Sequence, residues 1–230
     1  MALPQSAPDL HTEQPARKAP PENFARPHHD IARLALLHDE ARETALLANL
    51  LGRTPYAAAA LAVGALITVI FTRGTMPLVE PAVWLVLTLI GVGVMARNYA
   101  RAIRQPFERG ILREFAYDLN AIAIYAGFAW GAGAYLALGP QTSPLALAGF
   151  AAVVPAIVAV TLRTREISLG FLAPVAGLSA FSAVLRPLPE GPLAAAFVLI
   201  ACAAVGGAIF WADRVSASGS HFSETSLAQP

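Results

Sequence analysis

Six long runs of apolar residues occupy most of the chain after residue 54, and they limit its fold more than any other feature. They are residues 55–72, 77–96, 119–138, 144–162, 167–185 and 192–211. Each run can cross a hydrocarbon layer as a helix, which takes about 17–25 predominantly apolar residues. Membrane strands alternate polar and apolar residues, and these runs do not. The sequence therefore predicts an all-α, polytopic membrane bundle of six transmembrane helices.

The basic residues are distributed very unevenly around these runs. The segment before the first run, the connections after the second and fourth runs, and the tail hold fourteen of the sixteen lysines and arginines. The connections on the other side hold only Arg73 and Arg186. Basic loops stay in the cytoplasm, so we expect a multi-pass protein of the bacterial inner membrane with both termini cytoplasmic. A formal net charge of +1 gives no reason to expect a nucleic-acid partner, because binding a polyanion requires a dense basic surface on the protein.

The ends of the chain are polar. Residues 1–30 are rich in proline and cannot bury enough apolar surface to fold, so we expect a disordered cytoplasmic segment. The adjacent His28 and His29 lack a second ligand pair, and we predict no metal site there. Residues 1–21 contain no apolar core of a signal peptide, so the first span must direct insertion. Residues 215–230 are predicted to form a short cytoplasmic tail.

Residues 31–53 predict a separate cytoplasmic or interfacial helix before the bundle, which covers residues 54–214. Apolar and small residues recur there at alternating spacings of three and four, as in a heptad seam. The members of this seam are Leu34, Leu37, Ala41, Thr44, Ala48 and Leu51. A coiled-coil contact with a partner and a helix lying on the membrane or on the cytoplasmic loops both explain this pattern. In either case Leu34, Leu37 and Leu51 are candidate interaction residues.

The longest connection, residues 97–118, is the second candidate interaction surface. Pro106 and Gly110 are expected to divide it into two short helical pieces. Its arginines are Arg97, Arg101, Arg104, Arg109 and Arg113. Arginines beside a span attract anionic headgroups by about 1 kcal/mol each. A nucleotide or phosphate site is a second interpretation, but no glycine-rich loop accompanies these arginines. We therefore favour a role in setting the membrane orientation.

Inside the spans, five residues are candidates for helix packing or for a pocket. Gly127 and Gly131 lie one turn apart in the third span, a spacing that lets another backbone approach closely. Pro155 and Pro174 lie in the middle of the fourth and fifth spans and are expected to bend them. Trp130, together with Tyr125 and Tyr135, lines a pocket between bent helices in one interpretation and forms an ordinary aromatic stripe in the other.

The six apolar runs lack the ionisable and catalytic residues that chemistry within a membrane requires. Glu80, near the start of the second run, is the only acidic or basic residue inside the six runs. Ion-coupled transporters and proton relays carry such residues in their spans. No nucleophile lies beside a base, and Cys202, the single cysteine, is expected to serve packing. We therefore predict a protein without catalytic activity and without a cofactor.

Four short motifs resemble a known family. They are residues 46–51 (LLANLL), residues 84–87 (WLVL) before the arginine-rich connection, residues 129–131 (AWG) and residues 170–174 (GFLAP). Over residues 35–214 the chain resembles the six-helix, MASE-like sensor modules that precede diguanylate cyclase, phosphodiesterase or histidine kinase domains in bacteria. Only 16 residues follow Arg214 here. The resemblance therefore implies a sensor-like module without its own output domain, and it supplies no ligand residues.

Two functions follow as hypotheses from these observations. The first is a non-catalytic regulator or scaffold that acts through protein contacts on its cytoplasmic face. Its partners are the lipid bilayer, a protein of the inner membrane or cytoplasm, and a second copy of the chain in a homodimer. The alternative is a small carrier or channel for a neutral or apolar solute, or an accessory subunit of a membrane enzyme complex.

Overall fold

The computed structural model describes residues 26–74, 77–106, 108–139, 142–185 and 191–227, with side chains from residue 36 onward except those of residues 144, 213 and 215–227. Every regular element in these ranges is a helix. The helices are α1 (Arg26–Phe71), α2 (Val79–Ala102), α3 (Arg109–Leu136), α4 (Pro144–Leu162), α5 (Arg165–Leu185) and α6 (Gly191–Leu227). All six are long and apolar enough to cross a membrane. The predicted all-α fold with six candidate spans is thus confirmed.

The chain divides into two compact units, residues 1–41 and residues 42–230. Of the first unit, the structure describes residues 26–41, which are helical throughout. The predicted disordered segment included residues 26–30, and these form the start of α1 instead. The rest of that prediction, residues 1–25, lies outside the described residues.

The predicted helix 31–53 and the predicted first span belong to one helix, so the expected boundary between them is wrong. Pro55 lies inside α1 and does not end it. A proline removes one backbone hydrogen bond and crowds the preceding turn, which favours a break. Here tertiary packing prevails, because Leu50 and Leu51 in that turn are only 2% and 3% exposed. The Thr54 hydroxyl also donates a hydrogen bond to the Leu50 carbonyl at 2.9 Å.

Two other segments, predicted as a connection and as a tail outside the spans, are mostly continuations of the long helices. The expected long connection 97–118 is reduced to residues 103–108, because α2 runs to Ala102 and α3 begins at Arg109. The two expected short helical pieces are therefore the ends of two long helices. Likewise, α6 continues through residue 227, and only residues 228–230 of the predicted tail lie outside the described part.

Helix α3 is one of the two most buried spans of the second unit. It contacts α2, α4 and α5, and eleven of its 28 residues are buried. Hydrogen bonds from side chains to carbonyls of neighbouring helices join the bundle at several levels. Examples are Trp84 Nε1 of α2 to the Ala129 oxygen of α3 at 2.9 Å, and the Ser182 hydroxyl of α5 to the Ala134 oxygen of α3 at 3.0 Å. Such bonds stabilise membrane bundles, where lipid is as apolar as the helix faces.

Candidate functional site

A carboxylate on α1 is held by two arginines from α3. Arg109 Nε lies 3.0 Å from Glu43 Oε2, and Arg113 Nε lies 2.5 Å from Glu43 Oε1. Arg109 and Arg113 are four residues apart, so they project from the same face of α3. Hydrogen bonds from Arg113 and then Arg109 hold the pKa of Glu43 below its ordinary value. Glu43 precedes the apolar part of α1. Its lowered pKa favours the ionised form of the carboxylate.

A cleft of about 910 Å³ opens beside this ion pair, between α1, the first turns of α3 and the turn between α4 and α5. We call it the basic cleft. Its charged lining consists of Arg42, Arg53, Arg113, Arg163 and Arg165 with Glu43 and Glu166, an excess of three positive charges. Its apolar lining includes Leu46, Leu47, Leu50, Leu162 and Ile167. The cleft therefore combines an apolar floor with a strongly basic rim.

Three arginines of the basic cleft have their charges uncompensated by ion pairs. No ion pair joins Arg42, Arg53 or Arg163 to an acidic side chain within the described residues. Arg165 stacks over the Phe210 ring with its guanidinium carbon 4.7 Å from the ring centroid. Arg214 lies over the same ring at 4.3 Å. The C-terminal half of α6 thus reaches the same end of the bundle.

Two buried polar atoms of the lining lack hydrogen-bond partners. They are Asn120 Oδ1 and the Thr164 hydroxyl oxygen, and the part of the chain with placed side chains contains one other such atom, in Ser179. Buried polar groups are nearly always hydrogen-bonded in folded proteins. Both atoms therefore lack the hydrogen-bond partner that a buried polar group normally has.

The turn between α4 and α5 brings strain to the rim of the basic cleft. Arg163 ends α4 in the left-handed conformation, with φ of 50°, a position where helices usually carry glycine or asparagine. It is the only residue other than glycine with positive φ among the residues the structure describes. This conformation is unfavourable for a side chain with a Cβ, and such strain concentrates at functional sites.

The five arginines predicted as one interaction surface separate into two groups. Arg113 lines the basic cleft, and Arg109 pairs with Glu43 beside it. Arg97 and Arg104 are exposed on α2 and in the turn that follows it. Arg101 forms an exposed ion pair with Glu114 at 2.9 Å. The structure therefore does not gather Arg97, Arg101 and Arg104 into the cleft.

The three candidate leucines of α1 have different environments. Leu51 is 3% exposed within the bundle, so it cannot be an interaction residue as predicted. Leu37 is 54% exposed and remains a candidate. The side chain of Leu34 lies outside the described ones, as do those of His28 and His29. The heptad seam thus serves core packing at its C-terminal end, because residues 44–51 belong to the bundle.

The two glycines of α3 are packing positions, one of the alternatives that the sequence left open. A Cβ on Gly127 would overlap the backbone carbonyl of Phe171, and a Cβ on Gly131 would lie 3.0 Å from the Pro174 oxygen of α5. Backbone atoms cannot move aside as a flexible side chain can. Glycine is therefore required where α3 and α5 meet, as the spacing indicated.

Trp130 is a core residue of the bundle. Its ring is fully buried, stacks on Phe150 at 5.0 Å and meets Trp84 edge to face at 5.6 Å. Tyr125 and Tyr135, its predicted companions, are 39% and 66% exposed on the bundle surface. Tyr135 lines a small cleft between α3 and α5, whereas Trp130 packs in the core, so the three aromatic residues do not share one environment.

The prolines within the spans remain inside continuous helices. Pro155 is buried in α4, and Pro174 is half-buried in α5. Pro155 has no N–H, so the carbonyl of Ala151 one turn earlier lacks its helical donor. The Cys202 thiol of α6 lies 3.7 Å from that oxygen and donates to it. Cys202 thus has the packing role expected of it, together with a weak hydrogen bond.

Sequence reasoning missed most of the basic cleft. Arg42, Arg53, Arg163 and Arg165 were counted only as determinants of membrane orientation, and Glu43, Asn120 and Thr164 were not singled out. Their positions in the sequence are far apart and share no motif spacing. Only the predicted orientation placed these connections on one side of the bundle, which was the available indication that they could meet.

No protein-family model matches the chain, and the searches of curated proteins and of solved structures found no match. The resemblance to MASE-like sensor modules therefore stays a prediction.

Proposed function

We propose that the chain is a sensor-like regulator or scaffold of the bacterial inner membrane that acts through the end of the bundle where the arginines collect. The observation that carries this proposal is the basic cleft with its Glu43 ion pair. There α1, α3 and the α4–α5 turn present charged side chains around one cleft. A protein partner docking at this end would sense any rearrangement of the three elements. A second copy of the chain is one candidate partner.

The proposed orientation places this end, together with both termini, in the cytoplasm. The distribution of lysine and arginine supports it, since these residues avoid translocated loops. We expect a cysteine introduced at Leu78, which is exposed before α2, to react with a membrane-impermeant maleimide in intact cells with a permeabilised outer membrane. A cysteine at Ile103, exposed after α2, should react only after the inner membrane is broken. Both variants carry Cys202→Ala, and the opposite pattern of labelling would contradict the orientation.

Contact with a protein partner is tested by photo-crosslinking in living cells. A photoreactive amino acid at Leu37 or Arg104, both exposed at the proposed cytoplasmic side, should give adducts heavier than the chain by the mass of a protein. The matched control is Phe71, which is 82% exposed at the other end of α1. An adduct of twice the chain mass identifies a second copy. Protein adducts at Phe71 alone, or none at Leu37 and Arg104, would contradict the proposal.

A further inference from the structure

The basic cleft has the dimensions and the chemistry of a ligand site. Its volume of about 910 Å³ lies within the range of about 300–1,000 Å³ typical of small-molecule pockets. Its floor is apolar, since Leu50, Leu162 and Ile167 are buried side chains of the bundle. Arginine, glutamate, asparagine and threonine side chains complete the lining. A ligand that fits it has an apolar part and a charged part.

The charged part must be an anion. Five arginines and two glutamates line the cleft, and Arg42, Arg53 and Arg163 have no ion-pair partner among the described residues. Guanidinium groups bind phosphate through paired N–H donors, which a single ammonium cannot match. Uncompensated arginines that line one cleft make its potential positive, so an anion within the cleft would be bound favourably.

Polar atoms without partners add a second, independent indication. Asn120 and Thr164 both line the cleft, and each has a buried oxygen that no group of the described chain satisfies. The Thr164 hydroxyl can donate a hydrogen bond to a phosphoryl oxygen, and the Asn120 amide can both donate and accept. The strained Arg163 lies next to Thr164 in the same turn. The turn thus contributes both a guanidinium and a hydroxyl to the lining.

We propose that the basic cleft binds a phosphoryl group, with Arg53, Arg113 and Arg163 as its principal ligands and the leucine floor holding an attached apolar portion. Two sources offer this chemistry, the phosphomonoester headgroup of an anionic lipid and a water-soluble phosphate. This proposal rests on the proposed function in one respect, because the ligand acts as a signal only if the chain is a regulator. Arg113 also holds Glu43, so the bound phosphoryl group competes with Glu43 for this arginine and thereby couples the cleft to the α1–α3 ion pair.

The binding test uses the purified full chain in nanodiscs of phosphatidylcholine. Three probes are titrated by calorimetry: dihexanoyl phosphatidic acid, dihexanoyl phosphatidylcholine and inorganic phosphate. Binding of the phosphatidic acid at least tenfold more tightly than inorganic phosphate identifies a lipid source. Similar affinities for these two probes identify a soluble phosphate. Failure of both to bind, or equal binding of the phosphatidylcholine, would overturn the proposal.

Variants separate the basic cleft from general attraction to positive charge. Arg53→Gln and Arg163→Gly should each weaken binding about tenfold, as expected for the loss of one charge-assisted contact. Arg163→Gly also relieves the left-handed strain, so lost affinity there is not explained by poorer folding. Arg97→Gln removes an exposed arginine outside the cleft and should leave affinity unchanged. An equal loss in Arg97→Gln would contradict a defined site.

Glu43→Gln is expected to strengthen binding of the phosphoryl probe, whereas the arginine variants of the basic cleft weaken it. Its neutral side chain no longer holds Arg113 by charge, so affinity for the phosphoryl probe should rise several-fold. Unchanged or weaker binding, in protein whose thermal midpoint matches that of the parent chain, would refute the competition between ligand and Glu43. No partner is present in this assay. A failure here therefore leaves the crosslinking result untouched, and a failure to crosslink leaves the binding result untouched.

Discussion

Replacing Trp130 by alanine is expected to lower the stability of the folded bundle by about 2–4 kcal/mol. The substitution removes a fully buried ring that contacts both Phe150 and Trp84. Each aromatic pair contributes about 0.5–1.5 kcal/mol beyond its buried area. The indole N–H also donates to the Phe150 carbonyl at 3.1 Å, and hydrogen bonds in membrane bundles contribute about 0.6 kcal/mol on average. The remainder is the cost of the cavity.

The expected loss is smaller than the largest values for tryptophan in water-soluble cores. In a membrane, the unfolded reference state keeps its apolar side chains in lipid, so transfer from water contributes little to helix association. Packing and polar contacts then dominate the difference. The matched control is Trp211→Ala, because Trp211 is 69% exposed on α6. Thermal unfolding of both variants in the same mild detergent measures the contrast, and equal midpoints would show that Trp130 is not a core residue.

Replacing Gly127 by alanine is expected to destabilise the protein by about 1–3 kcal/mol, although alanine favours a helix over glycine by about 1 kcal/mol. The added Cβ would overlap the Phe171 carbonyl of α5. A backbone carbonyl cannot rotate out of the way, so α3 and α5 must separate. Separation in turn loosens the Ser182 hydrogen bond that joins them at 3.0 Å.

The control for Gly127 lies on the opposing helix. A Cβ on Gly177 of α5 meets nothing within 4 Å, so Gly177→Ala should raise stability by up to about 1 kcal/mol through helix propensity alone. The two variants carry the same chemical change and are expected to shift the thermal midpoint in opposite directions. A shift of the same sign in both would exclude close backbone contact between α3 and α5 at Gly127.

Helix boundaries show where local sequence signals mislead. Pro106 and Gly110 were expected to divide a connection, and a boundary was expected just before Pro55, yet of these three residues only Pro106 lies outside a helix. Pro55 is held within α1 by the burial of the preceding leucines. Gly110 lies in the first turn of α3, outside the helix interior where the conformational entropy of glycine is most costly. A proline or glycine lowers the local helix propensity, but the packing of the surrounding residues decides whether the helix continues.

The glycine spacing in α3 could be interpreted from the sequence alone, because it favours close approach of whichever helix lies beside it. Gly127 and Gly131 indicated a close approach before any neighbour was known, and the neighbour is α5. Trp130 lies between them, and its sequence position could not distinguish a pocket from a core. Its burial depends on Trp84 and Phe150, which come from two other helices.

The sequence by itself determined that the chain is helical and that six of its segments can cross a membrane, because length and hydropathy are properties of each segment alone. Only the tertiary structure decided which charged residues meet. Glu43 and Arg113 form an ion pair between α1 and α3, and Arg53 and Arg163 line one cleft from α1 and the α4–α5 turn. No spacing along the chain encodes such proximity, since it arises from contacts between helices that are distant in sequence.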